Sequence, residues 1–197
     1  LHPLSDANEV LSQAAGAAYI TKIDLSSAFY QVPLQKDCRH YTAFQCHLGL
    51  FEFKFSPMGL KNSPRTLDRL VRRLVRAAGR HDGSNASSFI DDVIISSKSW
   101  PSHIAHTRAI LTQLRDAYLT ANVRKSQFCL RSMEVLGHCL EDEVIKMSPS
   151  KVQAIMDIGP CKTKNGIRAI LGMAGYYRMY FSNFAEITNC FTELLKK

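Results

Sequence analysis

The sequence predicts an α+β fold in which a mixed domain of strands and helices precedes a smaller, helical domain. Two observations carry this prediction. As far as Met147, short runs of β-branched and aromatic residues alternate with segments of helical periodicity. After Met147 the pattern becomes almost purely helical, and a change of this kind indicates a domain boundary. We therefore expect one domain over 1–147 and a second over 148–197.

Composition and charge narrow the class of protein. Of the 197 residues, 46% are hydrophobic, which is enough to bury a sizeable core. Lys and Arg number 25 against 17 Asp and Glu, and the formal charge of +8 favours an acidic partner, most commonly nucleic acid. A soluble protein of high isoelectric point is the alternative. The sequence shows no signal peptide and no apolar run of about 18 residues, so no membrane span is expected.

The first elements of the mixed domain are short. Asn8–Ala15 has the periodicity of an amphipathic helix, and Ala18–Asp24 is a strand rich in β-branched and aromatic residues. Phe29–Leu34 alternates as a strand does. Thr42–Phe55 contains two strand-like runs separated by Leu48-Gly49, which is typical of a hairpin.

The next elements include two amphipathic helices. Pro64–Ala78 places apolar residues at helical spacing and fills the remaining positions mainly with arginines. A polar loop is expected over Gly79–Ser88, followed by an apolar strand pair over Phe89–Ser96. His103–Tyr118 is a second helix, and we expect His103 and His106 on its surface. The last domain is predicted to hold helices that begin at Ser148, which is a good N-cap, and that cover 166–180 and 184–197.

The most informative feature is the acidic pair Asp91-Asp92, which lies between apolar residues on both sides. A charge among residues that favour burial costs several kcal/mol unless it is compensated. A hairpin would place both carboxylates at its tip, and Asp24 ends another apolar strand. If the two strands are neighbours, three carboxylates converge, an arrangement that suits Mg²⁺ and two-metal phosphoryl transfer. The alternative is an ordinary polar turn, in which Asp is common.

Several motifs occur in a defined order along nearly the whole chain. They are Thr21–Leu34, Thr42–Phe44, Phe51–Phe53, Pro57–Pro64, Phe89–Asp92, Asn122–Phe128, Leu136–His138, Ser148–Val152 and Leu171–Arg178. In order and spacing this set resembles the reverse transcriptases of gypsy-type LTR retrotransposons and retroviruses. In that family a Pro-x-Gly-Leu turn leads into the palm helix, and an aromatic-x-Asp-Asp hairpin carries two catalytic acids. The resemblance implies a polymerase palm, an antiparallel sheet backed by helices, followed by a helical thumb.

The resemblance also implies roles for individual residues. Asp24, Asp91 and Asp92 would be catalytic, and the implied metal ligands are Asp24, Leu25, Asp91 and Asp92 for two Mg²⁺ ions, with Mn²⁺ as a possible substitute. Phe29 would be a steric gate against a 2′-hydroxyl, and Ser27 and Ala28 would offer backbone N–H groups to the triphosphate. The remaining implied nucleotide contacts are Met58 and Lys125, the second as a candidate general acid. A core role for the Phe29 ring and a solvated surface role for Lys125 remain alternatives.

Other residues are implied to bind the primer and template. Leu136-Gly137-His138 resembles the turn that grips the primer end. Gly172 and Tyr176 share one face of a thumb helix that follows the minor groove in the family, although a core role for Tyr176 remains open. The implied partners are an RNA or DNA template with its primer, and dNTPs. The implied location is intracellular, in the cytoplasm or a virus-like particle.

The sequence departs from the family pattern in three respects. Leu1–Leu4 resembles the segment just before the palm, so we expect the fingers strands, and also the connection and ribonuclease H regions, to be supplied by a longer polyprotein. Phe89 replaces the more common Tyr. Arg65 and Asp68 are unusual in the segment after the Pro-x-Gly-Leu turn, where they would alter template contact or reflect drift. The alternative function is a non-catalytic, nucleic-acid-binding remnant that uses the basic helix and the thumb.

Overall fold

A computed structural model describes residues 6–82, 85–141 and 144–196 of the chain. It confirms the α+β class. The chain forms two compact units, the first comprising the chain through Met133 with Leu140–Val144 and the second comprising Glu134–Cys139 with Ile145–Lys197. The division into domains over 1–147 and 148–197 stays a prediction, and the Leu1–Leu4 segment lies outside the described residues.

The described elements are six α-helices, nine strands and three short 3₁₀ helices. The helices are α1 (Ala7–Ala14), α2 (Ser63–Asp82), α3 (Trp100–Asp116), α4 (Pro149–Met156), α5 (Lys164–Tyr176) and α6 (Phe184–Lys196). The strands are β1 (Tyr19–Asp24), β2 (Phe44–Cys46), β3 (Gly49–Phe51), β4 (Asn85–Phe89), β5 (Asp92–Ser97), β6 (Gln127–Leu130), β7 (Ser132–Val135), β8 (His138–Glu141) and β9 (Val144–Met147). None of the described helices is long and apolar enough to cross a membrane.

The strands form three sheets. A four-stranded sheet has the order β4-β5-β1-β6, and all its pairs are antiparallel. The strands β2 and β3 form the predicted hairpin, in which Phe44 pairs with Phe51. A third sheet has the order β7-β8-β9. Because β1 pairs with β5 in the middle of the first sheet, the strand that ends at Asp24 and the strand that begins at Asp92 are neighbours, as the predicted convergence of the three acids requires.

The register of β1 against β5 sorts the side chains onto two faces. Ile23 pairs with Val93, and Asp24 pairs with Asp92. Since successive side chains of a strand point to opposite faces, Ile23 and Val93 share one face while Asp24 and Asp92 share the other. The apolar face is fully buried under α2 and α3, which contribute core residues that include Leu67, Val71, Val75, Ile110 and Leu114. Each such side chain contributes about 1.5–3 kcal/mol through burial.

One acid of α2 belongs to the packing of this layer. The Asp68 side chain is fully buried, and its Oδ2 atom lies 3.2 Å from Nε of Arg72, one helical turn along. A buried carboxylate requires such a partner because desolvation of the charge is costly. Asp68 therefore has a structural role in the helix, and a template contact through its side chain is ruled out by burial.

Two predicted segments differ in the structure. The sequence predicts an alternating strand over Phe29–Leu34, but residues Ala28–Gln31 form a 3₁₀ turn. The N–H of Tyr30 donates to the carbonyl of Ser27 over 2.9 Å, and the N–H of Val32 donates to the carbonyl of Phe29 over 3.0 Å. The predicted loop over Gly79–Ser88 was wrong at both ends, since α2 continues to Asp82 and β4 begins at Asn85. The polar residues of β4 form a strand because pairing with β5 supplies their backbone hydrogen bonds.

The prediction that His103 lies on a helix surface was wrong. Its side chain is fully buried, with Nε2 2.8 Å from Oγ1 of Thr21 and Nδ1 3.0 Å from Oγ of Ser97. The Ser97 hydroxyl also lies 2.9 Å from Nδ1 of His106. Burial, and secondarily the charge of His106, lower the pKa of His103 below its ordinary value of 6.5.

This buried histidine predicts a pH-dependent stability. The unfolded chain binds the proton at its ordinary pKa of 6.5 and the folded chain only below that, so stability is full above pH 6.5 and falls as the solution becomes more acidic. We expect a slope of up to about 1.4 kcal/mol per pH unit below pH 6.5 from this group. Urea unfolding at pH 7.5, 6.5 and 5.5 measures it. Fluorescence of Trp100, the only tryptophan, which packs 5.4 Å from the Tyr19 ring, serves as the signal.

The matched variants are His103→Asn and His47→Asn, the second at an exposed position. The first should flatten the slope by this amount, and the second should leave it unchanged. An unaltered slope in His103→Asn would contradict the assignment.

Candidate active site

The turn between β4 and β5 positions two acids. Phe89 pairs with Asp92 across the hairpin, and Ile90 and Asp91 form the two-residue turn between them. Ile90 has a φ of 57°, which is the left-handed region that glycine favours in such turns. For a β-branched residue this conformation costs about 1–3 kcal/mol, and strain of this kind is found most often at functional sites.

The end of β1 brings a third acid to the same edge of the sheet. Asp24 pairs with Asp92, and the next residue, Leu25, donates its backbone N–H to the carbonyl of Asp91 over 3.3 Å. The backbone of Asp24 is held on its other side as well. Its N–H donates to Oγ of Ser126 over 3.1 Å, and its carbonyl accepts from the N–H of Asn122 over 2.7 Å. Asp24, Asp91 and Asp92 therefore lie together at one end of the sheet.

The electrostatics of this end are dominated by Asp92. Burial raises the pKa of its carboxyl, the nearby Lys22 opposes that rise, and the charges of Asp91 and Asp24 add to it. Nζ of Lys22 lies 2.8 Å from Oδ2 of Asp92, an ion pair between partly exposed side chains. Lys22 thus neutralises one of three like charges. Lys22 lies two residues before Asp24, so both side chains lie on the same face of β1. The alternation of residues in β1 could therefore have predicted that Lys22 lies close to the acids.

The acids fit a divalent cation in charge and donor type. Carboxylate oxygens are the ligands that Mg²⁺ prefers, and the mutual electrostatic effect of Asp24, Asp91 and Asp92 indicates like charges within reach of one another. In the described part of the chain, however, no three His, Cys, Asp or Glu side chains form a group that encloses a metal position. Asp92 is paired with the Lys22 ammonium.

The residues implied for nucleotide binding follow β1 directly. Ser27 is exposed with a φ of 47°, Ala28 is buried, and the half-buried Phe29 packs against the core cluster. This segment is fixed by Gln31, a residue outside the predicted site. Its Nε2 donates to the carbonyls of Ser26 and Thr120, and its Oε1 accepts from the N–H of Thr120 over 2.6 Å.

Two further implied nucleotide contacts are exposed. Met58 lies in a turn with Gly59, whose φ is 94°, and two thirds of Met58 is accessible. Lys125 is exposed in the turn after Asn122, where its N–H donates to Oδ1 of Asn122 over 3.3 Å. The N–H of Asn122 also donates to the carbonyl of Asp24. The turn that carries Lys125 is therefore bonded to the end of the sheet that holds Asp24, Asp91 and Asp92, which we call the acidic end.

In the second unit, Leu136 and Gly137 form a turn with φ values of 51° and 78°. Two tyrosines hold its backbone: the hydroxyl of Tyr176 donates to the carbonyl of Leu136 over 2.9 Å, and that of Tyr177 donates to the carbonyl of Gly137 over 3.2 Å. A Cβ atom at position 137 would lie 2.8 Å from the Tyr177 hydroxyl. Glycine is therefore required by both conformation and space.

His138 supports this turn from inside. Only 2% of it is exposed, its Nδ1 lies 2.7 Å from the Tyr180 hydroxyl, and burial lowers its pKa. Its ring also contacts Tyr176 and Tyr177, with centroids 5.4 and 5.3 Å away. Tyr176 is half-exposed on α5, and Gly172 lies one turn earlier with open space where a Cβ would stand.

Comparison with known proteins identifies relatives that match almost the full length of this chain. The Pol polyproteins of the Drosophila melanogaster transposons opus and 297 are 32% and 34% identical over 99% and 100% of this chain. That of transposon gypsy is 30% identical over 99% of it. The chain spans 19%, 18% and 19% of these three relatives, respectively, or about a fifth of their length.

The fold has close counterparts among solved structures. A foamy viral protease–reverse transcriptase in complex with double-stranded DNA superposes with a TM-score of 0.88 at 23% identity, over 98% of this chain and 34% of that one. The same enzyme with an RNA/DNA hybrid gives 0.85 at 22% identity, over 99% and 26%. At these identities the likeness establishes the fold, including its antiparallel sheet backed by helices.

The family follows from a direct match. The family model described as reverse transcriptase (RNA-dependent DNA polymerase) covers residues 2–156. That range contains all three acids and the hairpin that presents two of them, and it confirms the resemblance drawn from the motifs. The chain belongs to the reverse transcriptase family.

Proposed function

We propose that this chain carries the catalytic centre of an RNA-directed DNA polymerase, which transfers nucleotides from dNTPs to a primer under the direction of a template. The observation that carries the proposal is the register of β1 against β5, which sets Asp24 opposite Asp92 and beside Asp91. The proposed activity is that of the longer polyprotein, of which this chain corresponds to about a fifth in its relatives.

The acidic end supplies the chemistry in this proposal. Asp24 and Asp91 would hold two Mg²⁺ ions, with the Leu25 backbone and Asp92 completing the set, and the ions would stabilise the charge that develops on the transferred phosphoryl group. Lys22 holds Asp92 and reduces the repulsion among the carboxylates. Gln31 fixes the 3₁₀ turn that presents Ser27, Ala28 and Phe29. The residues proposed to contact the nucleotide are therefore held at a fixed position relative to the acids.

The partners follow from the same proposal. Primer and template would be held by the Leu136–His138 turn and by the α5 face that carries Gly172 and Tyr176. Met58 and Lys125 would contact the nucleotide, the second as a general acid toward pyrophosphate. The relatives are polyproteins, and the solved counterparts were captured with double-stranded DNA and an RNA/DNA hybrid, which supports a template–primer as the substrate.

Primer extension tests the proposal. A labelled DNA primer on an RNA template is incubated with the chain, dNTPs and Mg²⁺, alongside Asp24→Asn and the exposed control Asp116→Asn. Extension by the parent and the control, with loss in Asp24→Asn, supports the polymerase. Equal extension by all three would show that the activity does not depend on Asp24. If none of the three extends the primer, the assay is repeated with the fingers region of a relative added. Absence of extension in that assay as well would overturn catalysis by this chain.

The role of Phe29 gives a selectivity prediction. Its ring is half-buried beside Ala28, and replacement by Val removes the bulk that would exclude a 2′-hydroxyl. We expect Phe29→Val to raise rNTP use relative to dNTP use by about tenfold or more, measured as the ratio of kcat/KM values. Phe51→Val, at an exposed position of β3, is the control. An unchanged ratio in Phe29→Val would show that the ring serves the core alone.

A further inference from the structure

The exposed side of α2 carries a row of four arginines, Arg65, Arg69, Arg73 and Arg76, named here the arginine row. Spacings of four, four and three residues place them along one side of the helix. The buried residues of α2, among them Leu67, Val71 and Val75, lie on the opposite side. The row extends about 16 Å along the helix axis.

The charge of this row is not balanced locally. Between Ser63 and Arg76 the only acid is Asp68, which is fully buried and lies beside Arg72. Across residues 6–82, 85–141 and 144–196, no carboxylate lies within ion-pair distance of the four guanidinium groups of the row. Glu9 of α1 lines a shallow groove near Arg76, so the positive field is strongest over the first three members.

The first turns of α2 also provide a concave site. Arg65 and Arg69 line a groove of about 240 Å³ together with Asn62 and Thr66. Two guanidinium groups and an amide can donate to a phosphate oxygen, whereas the Thr66 hydroxyl already donates to the carbonyl of Asn62 over 3.1 Å. Arginine binds phosphate in a bidentate manner. The groove therefore suits a phosphate group.

The row and the catalytic acids face away from each other. The α2 helix packs on the sheet face that carries Ile23 and Val93, whereas Asp24 and Asp92 extend from the other face. The arginine row lies on the side of α2 that is turned away from the sheet. A duplex engaged at the acids is thus separated from the row by the sheet and by the thickness of a helix, about 10 Å each.

The chemistry of the face favours nucleic acid over other partners. Its exposed residues are Asn62, Arg65, Arg69, Arg73 and Arg76, and Thr66 is partly buried among them. Protein interfaces are centred on aromatic and apolar anchors, and membrane-surface helices insert apolar side chains, but this face presents neither. Phosphate contacts alone provide affinity without sequence preference.

We propose that the arginine row binds the phosphate backbone of a second segment of nucleic acid, on the opposite side of the sheet from the catalytic acids. This goes beyond the polymerase function and does not depend on it. The bound segment is recognised by its charge, so duplex DNA and RNA of any sequence should serve, and the contact should weaken steeply with salt.

Binding of a blunt DNA duplex with no recessed primer end tests the proposal. The full chain, Arg69→Gln/Arg73→Gln and the control Arg108→Gln/Arg115→Gln are compared by fluorescence anisotropy across a salt series. The control removes the same charge from exposed positions of α3. Loss of two phosphate contacts should reduce the slope of log K against log salt by about 1.8 in the row variant alone.

The outcomes separate the possibilities. A reduced slope in the row variant, with the control and the unfolding midpoint unchanged, supports the second surface. Equal reductions in both variants would show a general effect of net charge and overturn it, as would an unchanged slope in the row variant. Binding of the row to anionic lipid vesicles in preference to the duplex would overturn the assignment to nucleic acid. Primer extension is measured in parallel and should be unchanged in the row variant.

Discussion

Replacement of Asp91 by Asn is expected to lower the rate of primer extension by about 10³-fold or more. Asp91 lies in the strained hairpin turn, where its carbonyl accepts from Leu25 beside the Asp24 strand end. An amide keeps the shape of the side chain but removes the charge that would hold a cation. Loss of several kcal/mol of transition-state stabilisation corresponds to a decrease of this size. Single-turnover extension at saturating dNTP measures it.

The neighbouring acid provides a matched comparison. Asp92 is paired with Lys22 at 2.8 Å, so its charge is already partly neutralised. We expect Asp92→Asn to reduce the rate by less than Asp91→Asn does. A larger loss in Asp92→Asn would contradict the division of roles drawn from the ion pair, and equal, full activity in both would remove the hairpin from the catalytic centre.

Replacement of Gly137 by Ala is expected to destabilise the second unit by about 2–4 kcal/mol. The φ of 78° disfavours any Cβ, and the new methyl group would stand 2.8 Å from the Tyr177 hydroxyl. That hydroxyl donates to the carbonyl of Gly137, so relief of the clash breaks this hydrogen bond. Urea unfolding followed by far-UV circular dichroism gives the change in the free energy of unfolding.

Gly175 is the control for this substitution. It lies in α5 of the same unit and has open space where a Cβ would stand. Gly175→Ala should leave stability unchanged or raise it by about 0.5–1 kcal/mol, because alanine is the better helix former. If Gly137→Ala proved as stable as Gly175→Ala, the turn would not be locked by Tyr177.

Much of the fold was predictable because the relevant signals are local. Helical periodicity placed α2 over Pro64–Ala78 against an observed Ser63–Asp82, and the run of β-branched residues placed β1 to within one residue. Only one arm of the hairpin that carries Asp91 was predictable: the apolar run after Asp92 indicated β5, whereas the polar sequence of β4 favoured a loop. Motif order then supplied the family, which the match over 2–156 confirms.

The remaining features depend on contacts between distant segments. Nothing near His103 in the sequence indicates that Thr21 and Ser97 supply partners for both ring nitrogens, so the histidine was assigned to the surface. Likewise, the hydroxyl of Tyr177 meets Gly137 only through tertiary packing. Periodicity does not predict the order in which strands pair. The alternation of residues in a strand indicates which side chains share a face, but it does not indicate which strand lies beside it.

The position of β1 in the middle of its sheet has a kinetic consequence. Its partners β5 and β6 come late in the first unit, whereas β4 and β5 are joined by a two-residue turn. The local hairpin can form within microseconds, but closing the long loop back to β1 is slow and must precede the meeting of Asp24 with Asp92. During refolding, recovery of the acidic end should therefore lag behind the appearance of secondary structure, and until then β1 and β5 expose unpaired edges that favour aggregation.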